Sequence, residues 1–231
     1  MLFLASSLLT ASCREEGVRE EELTTILLPV LLGSEPLEAG GRSWTTMTIA
    51  TWPGSDTLWV GMAGKPVAIV TGVSRPQEFR RNELSGALVI LPLRAAGELK
   101  IDHFLRDGPS GAIVPLPVVR SDLAEEGPAV IEAELHADAS ETLRIYDLVT
   151  IADGRVRVRI EAGGGAPLER QIELVNVGER GVHFAELPLD ELVPAGAEAR
   201  IVVEPENPAM RVWAMLVQVN AEGDIAVHGS T

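Results

Sequence analysis

The sequence carries a single cysteine, Cys13, in 231 residues. That excludes a disulfide framework and any cysteine-rich zinc or iron–sulfur centre. Positive charge is scarce: 19 Lys and Arg stand against 34 Asp and Glu, for a net charge of −15. A phosphate backbone needs a basic face, so nucleic acid is not an expected partner. No apolar run approaches the roughly 20 residues of a membrane-spanning helix, so any membrane contact is expected only through an anchor. Sustained helical periodicity is missing as well, because no segment repeats apolar residues at i, i+3, i+4 and i+7 over three turns. The best helical candidate, LPLDEL at 187–192, is one turn long.

What the sequence does hold is enough apolar content, 46%, to bury a core. From residue 23 on, segments of four to eight residues rich in Val, Ile, Leu and Thr alternate with Gly, Pro, Asp and Asn clusters. That spacing predicts an all-β chain. Strands are expected over 25–32, 43–51, 57–62, 67–71, 87–93, 98–104 and 112–119. A second set is expected over 129–136, 142–151, 155–161, 168–175, 182–187, 199–204, 212–220 and 224–227. Each set of seven or so strands in about 100 residues is the size of one Ig-like sandwich. The polar segment SDLAEEGP at 121–128 is the natural linker between them. The expected organisation is a leading segment over 1–22, a first antiparallel β-sandwich over 23–120 and a second over 129–231. One larger sandwich of mixed strands is the alternative.

Residues 1–11 (MLFLASSLLTA) are apolar and too short to span a bilayer. With Ser12 and Cys13 they resemble a bacterial lipoprotein signal, in which small residues precede a lipidated cysteine. Ala11 and Ser12 match, whereas Thr10 stands where such signals carry Leu, and no Lys or Arg precedes Cys13. The resemblance implies export, a thioether-linked lipid on Cys13 and an extracytoplasmic location. The other readings are an ordinary secretory peptide or an N-terminal strand with an incidental cysteine. The segment REEGVREEE at 14–22 is too charged to pack and suits a solvated tether. The strand patterns ILLPVLL (26–32), GGRSWTTMTIA (40–50) and RVWAMLVQVN (211–220) resemble those of uncharacterised bacterial secreted proteins with tandem β-sandwich domains. That resemblance implies an envelope setting and transfers no catalytic residue.

The signals for chemistry are sparse. His103, His136, His183 and His228 are scattered over separate segments, and no HExxH or CxxC occurs, so no metal or cofactor is expected. Asp107-Gly108-Pro109-Ser110-Gly111 lacks the spacing of a nucleophile elbow and reads as a hairpin turn. Gly163-Gly164-Gly165 leads into no helix that would aim amides at an anion, so it reads as a hairpin loop. Arg155, Arg157 and Arg159 alternate with Val156, Val158 and Ile160. A loop of about seven residues sets Arg159 opposite Glu169 and Arg155 opposite Glu173, which explains the arginine stripe by local charge pairing.

Three tryptophans form the other constellation. A four-residue turn over Pro53-Gly54-Ser55-Asp56 would set Ala50 opposite Trp59 and Trp52 opposite Thr57. Trp44, Trp52 and Trp59 then share one face of a hairpin. Such a face either stacks a sugar ring or is covered by a loop or by the second half of the chain, and cover is the expected case because exposed tryptophan is costly.

Two functions follow. The first is a non-catalytic envelope or surface module, a scaffold, spacer or adhesion protein whose partner is an envelope protein or a glycan. The second is a carbohydrate-binding or glycan-acting protein that uses the Trp52/Trp59 hairpin.

Overall fold

A computed structural model describes residues 26–30, 37–51, 57–62, 65–71, 77–80, 86–92, 100–120, 126–148, 154–176, 183–190, 192–193 and 196–231. Among them the chain is all-β, with no helix.

Ten strands precede residue 121: β1 Ile26–Val30, β2 Leu37–Ala39, β3 Arg42–Thr51, β4 Thr57–Met62, β5 Lys65–Thr71, β6 Gln77–Arg80, β7 Gly86–Pro92, β8 Lys100–Asp107, β9 Ile113–Pro115 and β10 Val119–Arg120. They form two five-stranded sheets. One has the order β10-β1-β7-β4-β5; the other runs β2-β3-β8-β9, with β6 also paired to β3. The imidazole Nε2 of His103 on β8 lies 2.7 Å from the carbonyl oxygen of Pro29 on β1 and ties the two sheets together.

Eight strands follow residue 128: β11 Ala129–Glu134, β12 Ala139–Asp147, β13 Gly154–Ala162, β14 Leu168–Asn176, β15 His183–Pro188, β16 Glu198–Pro205, β17 Val212–Asn220 and β18 Ile225–Gly229. They make one antiparallel sheet in the order β11-β16-β13-β14-β15-β12-β17-β18. The sheet folds over at the β14–β15 corner, where among the described residues the ladder holds the pairs Val175↔Phe184 and Asn176↔His183. Thr231 exchanges two backbone hydrogen bonds with Val130 on β11, so the far edges meet and the sheet is nearly a closed, flattened barrel.

This order differs from the expected Ig-like sandwich. In an immunoglobulin constant domain the sixth and seventh strands are neighbours in one sheet. Here β16 lies between β11 and β13, whereas β17 lies between β12 and β18. The pattern of short strands sets their buried faces, but not which partner each one takes; before residue 121 it also gave seven strands where ten form.

Burial follows from that arrangement. Strand β13 alternates strictly: Val156, Val158 and Ile160 are buried, and Arg155, Arg157 and Arg159 are exposed. The buried set packs against Leu143 and Ile145 of β12, Ile201 and Val203 of β16, and Ala214 and Leu216 of β17. Strands β12 and β17 do not alternate, because both of their faces are covered. Their second face presents Tyr146, Leu148, Met215 and Val217 to Trp44, Leu105 and Leu116 from the earlier strands. Burial of Tyr146 pushes its hydroxyl pKa upward, despite the opposing Arg144 charge. The apolar run VWAMLVQV is thus the signature of a strand packed on both sides.

Strand β14 is different. Arg170 stands opposite Val158 and so shares the core-facing side with Leu168 and Ile172, yet it is exposed. Over 168–174 β14 has β13 on one edge and, among the described residues, no strand on the other.

Candidate functional site

The densest polar cluster lies where the earlier strands meet the later ones, and it starts from two glycines. Gly40 and Gly41 have φ of +55° and +82°. They are the two central residues between Ala39 and Arg42, which pair across β2 and β3. A two-residue hairpin turn with positive φ at both positions favours glycine. This turn points the start of β3 at the β17–β18 turn. Gly223 in that second turn has φ of +79°.

Residues Arg42, Ser43 and Trp44 then all make long-range contacts. Trp44 is 2% exposed and packs with Tyr146, Met215 and Ile225. Its indole N–H donates to the Gly223 carbonyl at 2.6 Å. The Ser43 backbone N–H donates to Asp107 Oδ1 at 2.8 Å. Arg42 reaches Asp224 Oδ1 at 2.5 Å and Asp107 Oδ2 at 3.4 Å. Asp107 is fully buried, and it also accepts hydrogen bonds from the Ser110 hydroxyl and the Ser110 backbone N–H. The Ser110 hydroxyl is the main reason that the Asp107 pKa falls to about 2; burial opposes it, and the Ser43 and Ser110 amides and Arg42 add to it. Asp107 therefore remains a carboxylate, with its oxygens committed to holding the turn. The turn itself is the hairpin expected from Asp107–Gly111, closing β8 onto β9 with Arg106 opposite Ile113.

Of the residues singled out in the sequence, Trp44 is thus enclosed rather than open to a ligand. Cys13 and Trp52 lie outside the described residues. The tryptophan hairpin is not formed. Strand β3 pairs with β2, β6 and β8, whereas β4 pairs with β5 and β7 in the other sheet. Trp59 stands in register with Ile69 and Leu91, not with Ala50. Strands β3 and β4 are thus consecutive among the described residues but belong to different sheets. The error has a plain cause: strict alternation fixes faces along a strand but not whether the next strand in sequence is its neighbour.

The arginine stripe is as expected. Arg155, Arg157 and Arg159 stand opposite Glu173, Gln171 and Glu169. On the other side Arg157 stands opposite Glu204, and Glu161 opposite Arg200. Arg200 in turn faces Glu132 across β11. The outer face of this sheet is a lattice of alternating charge. Its far end holds a depression of about 720 Å³ lined by Glu132, Glu134, Glu161, Glu198, Arg200 and the glycines of the 163–165 hairpin loop. Arg159 and Arg200 lie 2.7 Å from Glu161 and 3.7 Å from Glu132 respectively.

The four histidines stay apart. His103 is buried on Pro29, His136 is exposed, and His228 Nε2 lies 3.0 Å from the Gln218 side-chain oxygen. His183 is buried with Nδ1 3.7 Å from Asp147 Oδ2. Sequence reading missed Arg42 and Asp224 altogether, and saw Asp107 only as a turn residue. The positive-φ glycines flanking these positions were the one signal that something approaches closely there.

No family model and no curated protein matches the chain. One similar solved structure is described as an anti-sigma factor domain-containing protein; it is 8% identical, with 88% of this chain and 80% of that chain covered and a TM-score of 0.20. A superposition at that score carries no argument about fold or function.

Proposed function

We propose that the protein is a non-catalytic module of the bacterial cell envelope, a scaffold or spacer that engages an envelope protein or a glycan and is held at the membrane through a lipid on Cys13. The observation that carries this reading is the use made of the chemically capable side chains at the meeting of the earlier and later strands. Trp44, Arg42 and Asp107 are turned inward and hold one set of strands to the other. On the exposed outer face Arg155, Arg157 and Arg159 stand opposite Glu173, Glu204 and Glu169 of neighbouring strands, and Arg159 pairs with Glu161 of its own strand. A chain organised for rigid display suits a spacer, and the acidic tether at 14–22 suits attachment at one end. On this reading the chain divides at 121–128 into two β units. The carbohydrate reading loses Trp44 as a stacking platform, and with it the hairpin that joined Trp52 to Trp59.

The test is expression of the full chain in a bacterium fed a clickable fatty acid, followed by fractionation. The expected result is a labelled protein in the membrane fraction. Cys13→Ala should lose the label and leave the membrane. An unlabelled wild-type protein in the cytoplasm would overturn both the anchor and the envelope setting.

A further inference from the structure

We infer that the β2–β3 turn and the β17–β18 turn form an interlocking joint that makes the strands before residue 121 and those after residue 128 move and unfold as one body. No β-ladder crosses between the two sets among the described residues, so the coupling must come from elsewhere. The two turns supply it by shape. A Cβ built on Gly223 would fall 1.9 Å from the Ala39 carbonyl oxygen, and one built on Gly40 would fall 2.1 Å from the Glu222 carbonyl carbon. Each turn therefore occupies the space where the other's side chain would stand, and backbone meets backbone on both sides. The Arg42 side chain, with Cγ 3.0 Å from a Cβ at Gly223, could yield, but the closer Ala39 backbone atoms could not.

Around this contact the attachments are of three different kinds. The Trp44 indole N–H bonds to the carbonyl of Gly223 itself. Its ring lies in an apolar cluster drawn from both sets of strands. Arg42 reaches from Asp107, on the earlier set, to Asp224, on the later one. A directed hydrogen bond and an ion pair beside the apolar cluster restrain orientation, which a hydrophobic patch alone does not. The joint is thus a conformational device. It sets the angle between the two sets of strands and passes the loss of one on to the other.

The test uses the full chain and two glycine variants matched for strain. Gly223→Ala and Gly164→Ala each force an L side chain into positive φ, at +79° and +71°. Only the first meets the other turn, since nothing lies within 4 Å of a Cβ at Gly164. Calorimetry should show one transition for wild type and for Gly164→Ala, the latter at a lower midpoint. Gly223→Ala should give two separated transitions, a larger radius of gyration by small-angle scattering and at least tenfold faster proteolytic cleavage within 121–128. A single transition for Gly223→Ala, with cleavage and radius matching Gly164→Ala, overturns the proposal. Should Gly223→Ala not fold, Trp44→Phe decides, because it keeps an aromatic ring in the cluster while removing the indole N–H that bonds to Gly223, together with part of the ring. Its amides over 39–44 and 221–224 should then exchange at least tenfold faster, with β13 and β16 unchanged. Exchange at wild-type rates in those two turns refutes the joint.

Discussion

Replacing Trp44 by alanine separates a structural tryptophan from a ligand platform. The side chain is 2% exposed, so truncation removes nearly its whole apolar contact and leaves a cavity. Large-to-small aromatic changes of this kind cost about 3–5 kcal/mol. The Gly223 carbonyl also loses its indole donor, which adds about 1 kcal/mol. The sum, about 4–6 kcal/mol, is a large share of a typical stability of about 5–15 kcal/mol. For a chain of this size each kcal/mol moves the melting midpoint by about 2–4 °C, so the expected drop is on the order of 10–20 °C. Thermal unfolding followed by near-UV circular dichroism reads it directly, and binding to a polysaccharide panel is measured in parallel below the new midpoint. A midpoint within about 3 °C of wild type, less than 1.5 kcal/mol by the same conversion, refutes the burial argument. Lost polysaccharide binding in that same stable variant would restore Trp44 as a sugar platform.

Two further outcomes are expected. Asp107 has a pKa lowered to about 2 from 3.8, so its stabilising effect is complete above about pH 4 and is lost as pH falls toward 2. Asp107→Asn should destabilise the chain at pH 7 and flatten the pH dependence of its urea midpoint between pH 4 and 2; a variant with the wild-type acid profile contradicts the assignment. Arg157→Glu places an acid opposite Glu204 on β16, which should cost about 0.2–1 kcal/mol in low salt. Because the site is exposed, that loss should shrink in 0.5 M salt, and a salt-independent loss would mean that Arg157 acts through packing instead.

The strands were legible to a degree that depended on how far their reasons were local. Period-two alternation in RVRVRI fixed both faces of β13, and the short loop to β14 then fixed the pairing of Arg155 with Glu173. Glycine and proline clusters marked the 107–111 and 163–165 turns for the same reason. Strands β2 and β6 escaped notice because three or four residues carry no period. Partner choice was legible only across short hairpins such as β13–β14. Nothing in 52–56 distinguishes a hairpin turn from a passage between sheets, and nothing near Asp107 points to Ser43, 64 residues away. The candidate site was hidden for that reason: it is built from contacts whose two ends lie far apart in sequence, such as Trp44 with Gly223, 179 positions apart.

The edge of β14 that no strand pairs among the described residues bears on how these molecules behave in a crowd. A strand with an unpaired edge is a template on which a second chain can add its own backbone. In β14 the core-facing side of that edge carries Arg170 between Leu168 and Ile172. A foreign strand docking along 168–174 would have to close over this guanidinium, and burying an uncompensated charge is prohibitive. Glu169 and Glu173, exposed on the other side, would repel an approaching copy of the same acidic chain. The interruption in an otherwise apolar stripe thus keeps neighbouring copies from zipping together along their edges, which matters most for proteins held side by side at high surface density.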